Sequence, residues 1–189
     1  RFLLEVESHA HHPIGELQHL RGQCSIEAVD LGDPVADLHD RSDAARLDPR
    51  IERVDAALTA WESGALATQD LPWSEWVYQE RYRFLSNLAD DTNTDRMADL
   101  DAVWSIGATG NNEILFAWME QAVRSGYQPA YGRLETFLIE VGRRKFLTPL
   151  YRAMKETDQM DMALSIYKQA RPGYHAVATS TMDELLAWN

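Results

Sequence analysis

The chain has 189 residues, 45% hydrophobic and 25% charged, which suits one well-packed soluble domain, or one domain with an extension. Its formal net charge of −12 argues against nucleic acid, whose phosphates need a basic face, and against anionic membranes as partners. Cys24 is the single cysteine, so no internal disulfide can form, and no apolar run has transmembrane length or the shape of a signal peptide.

These features lead to the expectation of a reducing, cytoplasmic setting. The chain starts at Arg1 rather than Met, as a fragment or a processed chain would.

Residues 1–47 read as a linker or an irregular extension. RFLLEVES and CSIEAVDL could each be a short strand, while HAHHP and GDPVADLHDRSD are rich in loop-forming residues. His9, His11, His12 and His19 raise a metal hypothesis. Their spacing, H-x-H-H-x6-H, matches no zinc signature, and no cysteine or carboxylate completes a set, so the expectation is no metal site.

From Pro49 onward the apolar residues recur every three or four positions. Ile51, Val54, Leu58 and Trp61 share one helical face, with Asp48 as cap, Pro49 at the first helical position and Gly64 as the stop. Ser74 is expected to cap a second helix carrying Val77, Phe84, Leu85 and Leu88. Asn93 or Thr94 caps a third with Met97, Leu100, Val103 and Trp104. Asn111 and Asn112 open a fourth with Ile114, Leu115, Trp118 and Val123, ended by Gly126. Pro129 starts a fifth, the basic stretch opens a sixth running to about Glu156, and a seventh spans Asp158 to Ala170.

About seven helices with short connections predict an all-α domain over 48–189. Its antiparallel pairs would stack in a curved, solenoid-like layer of the armadillo/HEAT kind. No strict sequence period accompanies it. Trp61, Trp104 and Trp118, at apolar spacing, read as core anchors rather than ligand platforms.

The stretch VGRRKFLTPLY, Val141 to Tyr151, stands out in this acidic chain. Arg143, Arg144 and Lys145 lie between apolar segments, and unpaired charges cannot sink into a core. They must face water, an acidic partner or an anionic ligand. A solvated helix start is one reading, and an anion clamp on a helical frame is the other. H-E-x-x-H, a phosphate loop and G-x-S-x-G are all missing from the sequence, and nothing near Cys24 argues for a nucleophile.

Three ordered blocks carry the reading further. They are LDAVWSIGATGNNEILFAWMEQAV, VGRRKFLTPLYRAM and IYKQARPGYHAVATSTMDELL. Asn112-Glu113-Ile114 with Phe116 and Trp118, Gly142-Arg143-x-Lys145-Phe146-x-x-Pro149-Leu150, and Tyr174-His175-x-Val177 resemble the C-terminal helical domain of the leukotriene A(4) hydrolase and aminopeptidase B group of zinc aminopeptidases. The resemblance covers Met97 to Leu186 and extends weakly back to about Asp48. Ala176 stands where that family usually has Pro.

The resemblance implies a zinc-bearing catalytic domain of the same enzyme as partner, with the zinc outside this chain. It also implies that the helical domain walls one side of a peptide channel and is inactive alone. The substrate's C-terminal carboxylate would fall to Arg143 and, more weakly, to Lys145, with Arg144 facing solvent. A stand-alone helical interaction scaffold is the alternative.

Overall fold

The computed structural model describes residues 48–188. The readings made for residues 1–47, including both short strands and the histidine cluster, lie outside the described residues. Eight α-helices follow one another: α1 Pro49–Glu62, α2 Tyr78–Ser86, α3 Thr94–Trp104, α4 Asn112–Ser125, α5 Tyr131–Glu140, α6 Arg144–Glu156, α7 Met160–Ala170 and α8 Ala176–Leu186. No strand occurs among the described residues, and none of their helices is long and apolar enough to cross a membrane.

Local chemistry sets most helix starts. Asp48 accepts the Arg50 N–H at 2.9 Å, Asn93 that of Arg96 at 2.9 Å, and Asn111 those of Glu113 at 2.9 Å and Ile114 at 3.3 Å. Gly126 closes α4 at φ +71°, a conformation open to glycine without strain.

The second helix corrects the expectation. Ser74 lies inside a turn over Pro72–Trp76, α2 begins at Tyr78, and Val77 is its N-cap residue. The cap comes from within the helix, where the buried Glu80 carboxylate accepts the Val77 N–H at 2.9 Å and the Arg53 Nε–H at 2.7 Å. Burial works to raise the Glu80 carboxyl, but the Val77 N–H and Arg53 outweigh it, and the group sits below its ordinary range. Val77 therefore stands outside the apolar stripe and is exposed, as is Val103 near the end of α3.

Three further boundaries differ from the sequence reading. Pro129 sits in a single 3-10 turn, Gln128–Ala130, ahead of α5. Asp158 takes a left-handed φ of 58°, which delays α7 to Met160. The expectation of about seven helices is one short. Pro172 and Gly173 form only a 3-10 turn, after which the His175 ring accepts the Val177 N–H and α8 begins.

The helices pack in pairs and in two layers. α2, α4, α6 and α8 lie side by side as one row, while α5 packs on α7, α1 on α2 and α3 on α4. Ion pairs and hydrogen bonds between helix ends show the row's direction. Arg124 at the end of α4 pairs with Asp90 just beyond α2 (3.7 Å) and with Glu156 at the end of α6 (3.5 Å), and Lys155 donates to the Leu185 carbonyl of α8 (3.0 Å). At the other end Lys145 of α6 pairs with Glu113 of α4. The four helices of the row are therefore parallel, and their N-termini share one edge of the domain.

α4 joins the two halves of the core. Leu115, Phe116, Met119 and Val123 belong to the cluster built with α5 to α8, and Ile114, Ala117, Trp118 and Ala122 to the cluster built with α1 to α3. Trp61 and Trp118 are buried core anchors as expected. Trp104 is only partly buried and lies against Trp73 with ring centroids 6.4 Å apart.

α7 is latched to α8 by Asp183, which accepts two bonds from Arg171 at 2.9 Å and one from the Tyr167 hydroxyl at 2.7 Å. Arg171 first, then Tyr167, holds the Asp183 carboxyl down to about 2. A folded-state pKa below the ordinary carboxylate value contributes stability that is complete above about pH 4 and is lost as pH falls toward 2. Thermal melts from pH 5 to pH 2 should show the midpoint falling across that window, and Asp183→Asn should flatten part of the fall. An unchanged slope in the variant would rule out the latch as a contributor. Glu80→Ala should cost about 1–3 kcal/mol in urea unfolding, because the Val77 N–H loses its acceptor and Arg53 its partner.

Candidate functional site

The candidate site is the first turn of α6. Phe146 and Leu147 are fully buried, and Phe146 packs against Phe116 (5.4 Å) and Phe137 (5.7 Å). With those two residues pointing inward, the helix leaves Arg143, Arg144 and Lys145 exposed at its start. Arg143 is the N-cap residue, extended at φ −81° and ψ 114°, and gives no side-chain cap. The Phe146 and Leu147 amides donate back to the Arg143 carbonyl. Pro149 removes the bond that would otherwise reach the Lys145 carbonyl.

Both flanking cations lie near the Phe146 ring, the Arg143 guanidinium carbon at 5.6 Å and the Lys145 ammonium at 4.9 Å from its centroid. Arg143, Arg144, Lys145 and Thr148 line an open depression of about 530 Å³. α6 has no acidic residue in its first turn, so three cations sit at the positive end of the helix dipole. That arrangement favours an anion, and a guanidinium can grip a carboxylate with two parallel hydrogen bonds.

The two residues singled out from sequence differ in how they are engaged. Arg143 has no carboxylate partner among the described residues. Lys145 is bonded to Glu113 Oε1 at 2.5 Å, so much of its charge is already met. Arg144, read from sequence as solvent-facing, is exposed and shares the depression with Arg143, also without a carboxylate partner among the described residues. Glu113 escaped the sequence reading as a neighbour of the site, since 32 positions separate it from Lys145.

The three sequence blocks meet here. Glu113 of the first holds Lys145 of the second. Tyr174 of the third donates to the Leu138 carbonyl at 2.6 Å, takes the Tyr151 hydroxyl at 3.2 Å and lies beside Gly142. Burial pushes the Tyr174 hydroxyl up to about 12, which keeps it protonated as a donor. For the zinc implied by the resemblance, the described residues offer no group of three or more His, Cys, Asp or Glu placed to hold a metal ion.

The described residues thus form a two-layer all-α domain with an exposed cationic turn at the start of α6. The family described as leukotriene A4 hydrolase, C-terminal, matches residues 76–186, and this chain belongs to that family. Leucine aminopeptidase 2 of Neurospora crassa is 25% identical over 127 residues, 66% of this chain and 19% of that protein. Leucine aminopeptidase 2 of Pyricularia oryzae is also 25% identical over 127 residues, covering 66% of this chain and 21% of that protein. Leucine aminopeptidase 2-1 of Meyerozyma guilliermondii is 37% identical over 70 residues, 37% of this chain and 11% of that protein. The chain thus spans about a fifth or less of these relatives' length. The solved structure of native yeast LTA4 hydrolase shares the fold, with a TM-score of 0.54 and 19% identity over 72% of this chain and 25% of that one.

The geometry separates the charges from the fold. Arg143→Ala and Lys145→Ala should each change the unfolding free energy by no more than about 0.5–1 kcal/mol. Phe146→Ala should cost about 3–5 kcal/mol, because it empties the junction of three aromatic rings. Urea unfolding of the three variants measures both expectations.

Proposed function

We propose that this chain is the helical C-terminal domain of a zinc aminopeptidase and that its cationic edge forms part of the wall of a peptide channel. Arg143 holds the C-terminal carboxylate of a short peptide, and Lys145, half-engaged by Glu113, adds a weaker charge. The observation that carries this reading is the exposed Arg143, unpaired among the described residues, at the mouth of the depression on the α6 N-terminus. The relatives' name, leucine aminopeptidase, supports a peptide as substrate.

The same edge supports a partner. Val77 and Tyr78 at the start of α2, Val177 at the start of α8, Val103 near the end of α3 and Ile139 near the end of α5 are the exposed large apolar residues among those described. Val77, Tyr78 and Val177 stand at the starts of α2 and α8, on the N-terminal edge of the row that also carries Arg143. Exposed apolar residues on the same edge as a charged turn suit a catalytic zinc domain of the same enzyme, docked over the depression in a cytoplasmic protein. A zinc held by that catalytic domain would supply Lewis-acid chemistry for peptide hydrolysis. The residues of this chain bind and orient the far end of the peptide.

In an enzyme that combines this domain with its catalytic domain, Arg143→Ala should lower kcat/KM for short free-acid peptides by about tenfold to a few thousandfold. That range corresponds to about 2–5 kcal/mol for a lost charge-assisted pair. Arg143→Lys should recover part of the loss, and Lys145→Ala should cost less. A C-terminally amidated peptide should lose far less with Arg143→Ala. An equal loss on both substrates would mean that Arg143 supports the fold instead of reading the carboxylate.

A further inference from the structure

Charge in the depression at the start of α6 is left unbalanced. Arg143, Arg144, Lys145 and Thr148 line it. Among the described residues, the only carboxylate that forms an ion pair with any of its three cations is that of Glu113, on Lys145. The Asn111 side chain accepts the Glu113 N–H at 2.9 Å, which anchors the backbone that carries that carboxylate. Two positive charges remain unmatched, those of Arg143 and Arg144. A single carboxylate on Arg143 neutralises one of them.

The surroundings of Arg144 fit a second acid. Arg144 and Thr148 stand four residues apart, one turn along the same face of α6, so a guanidinium and a hydroxyl share that side of the depression. Thr148 is partly exposed, and its hydroxyl can donate beside the guanidinium. A guanidinium carries donors and no acceptor, and a carboxylate acceptors and no donor, so a carboxylate complements this side as another does Arg143.

The spacing of the two arginines restricts where both acids can come from. Consecutive Cα atoms are about 3.8 Å apart, so the two guanidiniums spring from neighbouring points on the chain. They call for two carboxylates held close together. A C-terminal Asp or Glu carries such a pair within one residue, its α-carboxylate and its side-chain carboxylate. The preceding side chain of an extended peptide points to the opposite side.

We propose that Arg144, with Thr148 beside it, reads an acidic side chain on the C-terminal residue of a peptide whose α-carboxylate rests on Arg143, so that this domain prefers peptides ending in Asp or Glu. The proposal rests on the carboxylate reading of Arg143 and adds a specificity-determining residue to it.

The test titrates the 15N-labelled 189-residue chain with three peptides: Gly-Gly-Glu, Gly-Gly-Gln and Gly-Gly-Glu α-amide. Proton–nitrogen spectra at about 0.01 M ionic strength, where exposed charges are least screened, follow the Arg144 and Thr148 backbone amides. Gly-Gly-Glu should bind about threefold to fivefold more tightly than Gly-Gly-Gln. That preference should vanish in Arg144→Gln and reverse in Arg144→Glu, and the same spectra show whether each variant keeps its fold.

If Gly-Gly-Glu binds no better than Gly-Gly-Gln while α-amidation still weakens binding, the role of Arg144 is overturned and the Arg143 reading stands. A preference that survives in Arg144→Gln also overturns it, because the cluster as a whole would then attract the second charge. If the α-amide binds as well as the free acid, the carboxylate reading fails and the two-point proposal falls with it. Binding by none of the three peptides overturns both.

Discussion

The packing of α4 between α2 and α6 is the constraint on which the rest of the domain depends. α4 buries side chains toward both neighbours, so neither half of the core closes without it. Its apolar surface wraps most of the way around, which in water is stable only for a helix covered on two sides. Covering it demands a row, and the ion pairs of Arg124 at one end and Lys145 at the other mark that row as parallel. A parallel row has a chemical consequence, because it gathers helix N-termini, with their unpaired amides and positive dipole ends, on a single edge.

Phe146 is the point at which this core shapes the candidate site. Its ring is fully buried among Phe116 and Phe137, so the rotation of the first turn of α6 is settled by aromatic packing and not by the charges themselves. Arg143, Arg144 and Lys145 are presented outward as a result. The fold absorbs part of the charge by setting Glu113 against Lys145, and leaves the two arginines free of carboxylates among the described residues. Three cations at a helix start weaken that helix, and the burial of Phe146, Leu147, Leu150 and Tyr151 on α6 offsets the cost.

The N-terminal edge of the row presents two kinds of surface. Arg143, Arg144 and Lys145 are exposed at the start of α6, and Val77, Tyr78 and Val177 are exposed apolar residues at the starts of α2 and α8.

Much of this was legible in the sequence, for local reasons. Helical periodicity is a property of residues three and four apart, so the helices, the caps at Asp48, Asn93 and Asn111, and the stop at Gly126 could be read directly. The exposure of the basic triplet followed from the cost of burying charge, and the three sequence blocks were enough to indicate the family. Where a cap came from an unexpected residue, as with Glu80 reaching back to Val77, the local signal pointed to Ser74 instead. The eighth helix was hidden behind Pro172 and Gly173, whose punctuation is the same for a turn as for a chain end. Only the tertiary structure decided that Glu113 meets Lys145, that Arg144 shares a depression with Arg143, and that Trp73 and Trp104 face one another. The first and last of those contacts join residues about 30 positions apart, and they arise from how helices stack in layers, which no periodicity within one helix encodes.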